Sequence, residues 1–230
     1  MPFDHNDHYH RLLLRQVPRG ARTALDVGCG TGRFARRLAG LGLRVDAIDR
    51  SAEAVAQARA FLPATGDRVP RFRVADVTDL QLADGQYDFI SCLASLHHMP
   101  FDTVAALRDA LAPGGVLVIL GCYPERTLPD WAWSLAAVPV NAAARLAVSA
   151  ADRVRPTPPD GSAGAPVMPP TVPLDEIRRE AAVLLPGCRI RRLLFWRYLL
   201  VHRRPGQRHR PGVTAPSGST IRQVSDLFYE

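Results

Sequence analysis

Short apolar runs alternate with helix-like patterns over the first 120 residues of the chain. The runs are rich in valine, isoleucine, leucine and alanine, and the segments between them repeat apolar residues at helical spacing. This alternation is typical of βαβ units, in which a helix links each strand to the next parallel strand. The pattern predicts an α/β fold with a mostly parallel sheet.

The predicted elements of this first part follow one another closely. Strands are predicted at residues 23–27, 43–49, 72–75, 87–93 and 116–120. Helices are predicted at about 31–41, 51–62 and 101–111. Ser51 is well placed to cap the second helix, because its hydroxyl can accept a hydrogen bond from a free backbone N–H, and Pro63 ends that helix. Residues 113–115, Pro-Gly-Gly, are predicted to turn into the fifth strand.

The pattern changes after the fifth strand. Residues 131–153 are alanine-rich and helical in character, and Pro139 divides them into two pieces. Residues 155–173 hold seven prolines and are predicted to form a loop without regular structure. The last predicted elements are a helix at 174–185 and two adjacent antiparallel strands at 188–194 and 198–202.

Together these elements predict one doubly wound α/β domain over residues 1–205. Its sheet has seven strands, is mostly parallel and ends in an antiparallel strand. Within the domain, residues 125–173 form a helical insert and a Pro-rich loop, which we expect to cover the carboxyl-end rim of the sheet as a lid. Residues 206–230 are rich in Pro, Gly and Ser and are predicted to be a flexible tail.

Composition narrows the class of protein. Hydrophobic residues make up 47% of the 230 residues, no apolar run approaches the ~20 residues of a membrane-spanning helix, and the His-rich N-terminus does not resemble a signal peptide. The cysteines are widely separated, without a CxxC pair, at Cys29, Cys92, Cys122 and Cys188. This spacing favours free thiols and a cytoplasmic location over a disulfide framework or a zinc site.

The net charge of +7 raises the question of a nucleic-acid partner. All 29 basic residues are arginine, and residues 178–210 hold ten of them against one acid, Glu180. A basic stripe on one element can bind phosphate. A solvated basic surface is favoured instead, because the use of arginine alone suggests a compositional bias of the whole chain.

The decisive segment is LDVGCGTGRFA, residues 25–35, in which a strand runs into three glycines and then a helix. Glycines allow a sharp turn and the close approach of a ligand. The dinucleotide pattern G-x-G-x-x-G would place glycine at position 33, where this chain has Arg33. The acid Asp26 before the loop suits a cationic ligand better than a pyrophosphate.

This segment resembles the first motif of class I S-adenosylmethionine-dependent methyltransferases, in particular the ubiquinone-type, small-molecule branch. Further stretches fall where that family has its other motifs: VDAIDRS, RVADVTDL, YDFISCLASLHHM and LAPGGVLVIL. The resemblance is strong over residues 23–121 and looser over 174–204. It implies S-adenosyl-L-methionine as the cofactor.

The resemblance also implies a set of cofactor-binding residues: Tyr9, Asp26, Gly28, Cys29, Gly30, Gly32, Asp49, Arg50, Asp76, Val77 and Leu93. Asp49, at the end of a strand, can accept hydrogen bonds from both ribose hydroxyls. Asp76 is expected to accept from the adenine amino group, with Val77 against the ring, and Asp26 to orient the loop or the amino group of the methionine part. The alternatives are a helix-entry role for Asp49 and a turn role for Asp76.

His97 and His98 follow the fourth strand, on the rim where open α/β sheets bind ligands. Methyl transfer from a sulfonium needs alignment of the acceptor and exclusion of water, and a base helps when the acceptor is a hydroxyl or a protonated amine. We therefore predict these two histidines as the candidate catalytic residues, with His97 closer to the methyl group. The alternative is that both are structural and cap the turn before Pro100.

The N-terminal residues 4–10 are dense in groups that can bind metals. We predict no metal site here and expect a short helix that folds over the cofactor. Tyr9 or His10 would then reach the methionine carboxylate or the acceptor.

Residues 91–94, Ser-Cys-Leu-Ala, replace the Asn/Asp-Pro-Pro-aromatic motif of family members that methylate amide or adenine nitrogens, so those activities are disfavoured. The predicted function is methylation of a small, fairly apolar molecule, with Trp131 and Trp133 in its pocket and no membrane insertion. The alternatives are an RNA or protein methyltransferase that uses the Arg178–Arg210 stripe, and a non-catalytic cofactor-binding partner protein. The sequence leaves open whether the chain is a monomer or a homodimer.

Overall fold

The computed structural model describes residues 5–62, 69–124, 170–194 and 196–206. The helices are α1 His5–Leu14, α2 Arg33–Gly40, α3 Ala52–Ala60, α4 Thr103–Asp109 and α5 Leu174–Leu184. The strands are β1 Thr23–Val27, β2 Arg44–Asp49, β3 Arg71–Val74, β4 Tyr87–Leu93, β5 Leu111–Cys122, β6 Arg189–Arg192 and β7 Arg197–Arg203. Short 3-10 turns follow β3 at Val77–Asp79 and β4 at Leu96–His98.

The strands form a seven-stranded sheet in the order β3-β2-β1-β4-β5-β7-β6. The pairs β1–β2, β2–β3, β1–β4 and β4–β5 are parallel, whereas β7 is antiparallel to both β5 and β6. This arrangement confirms the predicted doubly wound α/β fold with an antiparallel last strand. The order reverses between β1 and β4, which is the point where open α/β sheets bind ligands.

The core lies on both faces of the sheet, because β1, β4 and β5 are buried from either side. One cluster packs against α1 and α2 and includes Leu13, Phe34 and Leu38. The opposite cluster packs against α4 and α5 and includes Leu107 and Ile177. Double burial explains why these strands are continuous apolar runs in the sequence.

Most predicted boundaries agree with the structure within two residues, and the Ser51 cap is confirmed, since its Oγ accepts from the Ala54 N–H at 3.1 Å. The predicted turn at 113–115 differs. β5 begins at Leu111, which pairs with Tyr87, and residues 112–115 form an irregularity before pairing resumes at Val116. Gly114 has φ 81°, so the Pro-Gly-Gly stretch bends the strand and interrupts its pairing with β4 without ending the strand.

Several predictions lie outside the described residues: the helices of 131–153 with Trp131 and Trp133, most of the Pro-rich loop, the lid, and nearly all of the tail. Among the described helices, none is long and apolar enough to span a membrane.

Candidate active site

The glycine loop joins β1 to α2, and its three glycines have φ between 52° and 75°, a region that disfavours any other residue. A Cβ on Gly28 would lie 2.3 Å from the Cβ of Ser95, and one on Gly32 would lie 2.3 Å from the Phe72 ring. A Cβ on Gly30 would meet nothing within 4 Å. Packing therefore requires two of the glycines, while the third faces open space in which a ligand can approach the backbone.

Asp49, at the carboxyl end of β2, holds this loop in place. One carboxylate oxygen accepts from the Gly30 N–H at 2.8 Å, and the other accepts from the Ser51 N–H at 2.9 Å. The helix-entry interaction that the sequence left as an alternative is therefore present. A carboxylate has about four acceptor sites, so capacity remains for two ribose hydroxyls.

Asp26 is 2% exposed beneath the loop. Its Oδ1 accepts from the Ser91 hydroxyl at 2.7 Å, and its Oδ2 has no hydrogen-bond partner among the described residues. Burial raises the pKa of Asp26 to about 7; the Ser91 hydroxyl and the Ala35 backbone N–H oppose this shift, and the nearby Asp49 charge adds to it. A buried carboxyl with an unused oxygen is suited to receive a cationic group.

Asp76 follows β3 and caps the 3-10 turn. Its Oδ1 accepts from both the backbone N–H and the hydroxyl of Thr78, which lower the pKa of Asp76. Its Oδ2 lies 3.6 Å from the largely exposed Arg50. The turn role is thus present, and Oδ2 keeps acceptor capacity at the rim. Val77 is 5% exposed and packs in the core, which leaves little of its surface for a ring contact.

Two further residues predicted to bind the cofactor, Cys29 and Leu93, offer apolar surface. Cys29 is buried, and burial raises the pKa of its thiol well above the usual range, so it is not a nucleophile at neutral pH. Leu93, the last residue of β4, is half-buried beside the core cluster on the α1 side.

Helix α1 is confirmed as the short N-terminal helix and packs beside the glycine loop. The ring of His10 lies 4.9 Å from the ring of Phe34 in the first turn of α2. The Tyr9 hydroxyl donates to the Leu194 carbonyl at 3.0 Å. α1 therefore links the cofactor side of the rim to the β6–β7 connection. Among the described residues, no group of three or more side chains could hold a metal ion.

His97 and His98 occupy the 3-10 turn after β4, with ring centroids 4.0 Å apart. Both ring nitrogens of His97 are buried, without a hydrogen-bond partner among the described residues. Burial lowers the pKa of His97 to about 4, with further lowering by His98 and Arg197. His97 is therefore neutral at pH 7 and can accept a hydrogen bond, although so low a pKa weakens the driving force for proton transfer.

The comparisons with known proteins agree with this geometry. A methyltransferase domain family matches residues 25–119. An uncharacterized methyltransferase of Mycobacterium tuberculosis is 33% identical over 89% of this chain and 98% of its own length. The chain belongs to the class I S-adenosylmethionine-dependent methyltransferases.

This methyltransferase is also similar to a curated O-methyltransferase in sequence and to a solved methyltransferase in structure. A ubiquinone biosynthesis O-methyltransferase of Xanthomonas axonopodis is 40% identical, over 46% of this chain and 44% of its own length. The crystal structure of magnesium protoporphyrin IX methyltransferase from Synechocystis with bound S-adenosylmethionine matches 86% of this chain and 77% of its own, with 19% identity and a TM-score of 0.53. That structural likeness concerns the fold.

The site fits the cofactor of this family. A sulfonium cofactor with a cationic amine and a ribose needs an acidic environment, hydroxyl acceptors and an open backbone. The methyltransferase offers Asp26 Oδ2, Asp49 and the space beside Gly30 for these three needs.

Three residues that sequence reasoning did not assign to the site support or border it. Ser91 holds Asp26, and the Ser95 hydroxyl donates to the Val27 carbonyl at 2.8 Å beside Gly28. Arg197, the first residue of β7, donates from Nη1 to the Cys122 sulfur. These contacts join positions about 65 to 75 residues apart, and no local motif marks them.

Proposed function

We propose that this methyltransferase methylates a small, fairly apolar acceptor bound over the carboxyl ends of β4, β5 and β7. The observation that carries the proposal is His97, whose buried nitrogens have no partner among the described residues. A buried polar group is normally paired, so a site that leaves both nitrogens unused is suited to a ligand that supplies the missing hydrogen bond. Leu93 and Leu194 give this part of the rim an apolar character.

The bound cofactor supplies a methyl group that its sulfonium already activates. The protein's own task is to fix both reactants and exclude water. We propose that Asp49 and the Gly30 backbone hold the ribose side, Asp26 holds the amine, and Asp76 with Arg50 borders the adenine. We further propose that α1, through Tyr9 and His10, encloses the reacting end.

His97 would orient an acceptor hydroxyl or amine by accepting its hydrogen bond. With a pKa of about 4, it is neutral over the whole physiological range and available for this role. His98, whose ring is tilted by 40° against that of His97, would fix the ring orientation.

The arginine-rich segment supports an RNA acceptor less well, because several of its arginines are used within the protein. Arg192 lies over the Tyr123 ring, and Arg204 donates to the carbonyls of Asp109 and Leu111. Arg189 and Arg191 lie on the exposed edge strand β6, where charged residues protect an open sheet edge from pairing with another chain.

The test is transfer of labelled methyl groups from S-adenosylmethionine to fractionated cell extract. Label in the small-molecule fraction that depends on His97 supports the proposal. Label in RNA, with binding that falls steeply as salt rises, would contradict it and favour the nucleic-acid alternative.

A further inference from the structure

Arg197 is a cation without an acidic partner among the described residues. Its hydrogen bonding there is limited to Nη1, which donates to Cys122, and its Nε is buried without a partner. An arginine usually satisfies its fork of N–H groups with carboxylates or carbonyls, as Arg204 does in the same region. The side edge of the Arg197 guanidinium, formed by Nε and Nη2, is therefore left for another group.

The position of Arg197 separates it from the cofactor residues. It pairs with Cys122, the last residue of β5, and so lies at the carboxyl-end rim of the sheet. β7 is three strands from β1 in the sheet order, a distance of about 14 Å at the usual spacing of strands. Its charge reaches His97 and Tyr9, both of which respond to it electrostatically. Arg197 thus borders the acceptor side of the rim.

We propose that Arg197 and His97 form a carboxylate-binding subsite, and that the acceptor of this methyltransferase is an apolar molecule that carries a carboxylate. The Nε–Nη2 edge of arginine matches the two oxygens of a carboxylate in a bidentate arrangement. The neutral imidazole beside it is suited to a second polar group of the same molecule. This inference rests on the proposed small-molecule function and adds the chemical class of the acceptor.

The energetics of Arg197 favour a bound anion over a structural role. A cation whose Nε is removed from water without a partner costs free energy, and an incoming carboxylate recovers that cost. In this partly buried position the ion pair is stronger than one on an open surface. No salt bridge joins Arg197 to an acid among the described residues, and its charge acts on Tyr9, His97 and Cys122.

The experiment uses the full chain saturated with S-adenosylhomocysteine. Benzoate and octanoate are titrated by calorimetry, with the neutral benzamide and octanamide as matched probes. We expect at least one carboxylate to bind 10-fold or more tightly than its amide. Arg197→Gln should remove this preference, Arg197→Lys should keep part of it, and Arg191→Gln on the exposed edge strand should leave it unchanged.

A second readout in the wild-type protein does not depend on the variants. A carboxylate on Arg197 places a negative charge near His97, so binding should raise the pKa of His97, measured by NMR of its ring nitrogens. Inorganic phosphate in place of the carboxylates tests whether any anion suffices, and a stronger effect of phosphate would overturn the carboxylate assignment.

The outcomes separate the two proposals. Failure of the wild-type protein to bind S-adenosylhomocysteine would refute the methyltransferase function itself. Normal cofactor binding, with no preference for carboxylates or the same preference in Arg197→Gln, would overturn the subsite alone. Loss of cofactor affinity in Arg197→Gln would show that Arg197 holds the methionine carboxylate instead, which also contradicts the proposal.

Discussion

The cofactor half of the rim, formed by β1, β2 and β3, is built differently from the acceptor half, formed by β4, β5 and β7. In the cofactor half the backbone is positioned by close packing at Gly28 and Gly32 and by the hydrogen bonds of Asp49, and Oδ2 of Asp26 is the acceptor left for the cofactor amine. In the acceptor half, His97 and Arg197 keep buried nitrogens without partners among the described residues. The first half is preorganised for a ligand of fixed shape. The second leaves polar groups available to a ligand that varies between enzymes of one fold.

The largest expected effect is a loss of folding stability that differs between two glycines of the same loop. Gly32→Ala should lower the free energy of unfolding by about 2–5 kcal/mol, because the new Cβ clashes with Phe72 in a left-handed backbone. Gly30→Ala should cost only about 1–2 kcal/mol, since its Cβ meets open space. Denaturant melts compare the two.

The two variants should also differ in their affinity for the cofactor, and here the Gly30 variant should show the direct effect. The methyl group of Gly30→Ala would occupy the space proposed for the ligand, so this variant should fold and bind S-adenosylmethionine poorly. Unimpaired binding by folded Gly30→Ala would place the cofactor elsewhere.

The next effect concerns the acceptor half. His97→Gln should lower turnover by roughly 10- to 100-fold and leave cofactor affinity nearly unchanged, because glutamine keeps an acceptor oxygen but misplaces the acceptor relative to the methyl group. Because its pKa is about 4, the wild-type rate should rise with pH near 4, well below the 6.5 of an unperturbed histidine. Steady-state kinetics over pH 3.5–8, with His98→Gln as the comparison, measure this. A less stable but fully active His97→Gln would assign the pair to structure.

Asp49→Asn should weaken cofactor affinity by about 10- to 100-fold, equal to roughly 1.5–3 kcal/mol, because a charged acceptor is lost. The matched control is Asp46→Asn on the same strand, where the carboxylate accepts from the Tyr87 hydroxyl near the opposite edge of the sheet. Calorimetry should show a change for Asp49 alone. Equal affinity losses in the two variants would mean that a general weakening of β2, rather than the ribose contact, is responsible.

The smallest effect is a proton linkage at Asp26. Because its pKa is raised to about 7, a cationic amine that approaches Oδ2 should expel the proton. Cofactor affinity should therefore fall below pH 7 by up to about tenfold per pH unit and stay level above it. Titrations in buffers of different ionisation enthalpy should show nearly one proton released at pH 6 and almost none at pH 8.

The folding stability of the protein without cofactor should also depend on pH through the Asp26 proton. The folded state keeps the Asp26 proton between about pH 4 and 7, where the unfolded chain has lost it. The stability from this proton is fully present below about pH 4 and is lost as pH rises through 7. Asp26→Asn should remove both dependences, and their persistence in that variant would assign them to another group.

The contrast between the halves also explains what the sequence could predict. Glycines, strand ends and the Ser51 cap depend on neighbours in the chain, so their spacing indicated the fold and the cofactor loop. The burial of Asp26, which raises its pKa, depends on the pairing of β1 with β4, and the position of Arg197 depends on the pairing of β7 with β5. Both pairings join residues far apart in the chain. The bulge of β5 was missed because Pro-Gly-Gly usually ends pairing, whereas here the pairing of Leu111 with Tyr87 extends the strand.

The most direct test of the central claim is a calorimetric titration of the wild-type protein at pH 8 with S-adenosylmethionine and, separately, with NAD. The loop has Arg33 in place of the third glycine of the dinucleotide pattern, so we predict no measurable binding of NAD. Asp49 lies beside the loop, and we predict a micromolar dissociation constant for S-adenosylmethionine, which corresponds to a binding free energy of roughly −7 to −8 kcal/mol. Tight binding of NAD without binding of S-adenosylmethionine would contradict the account.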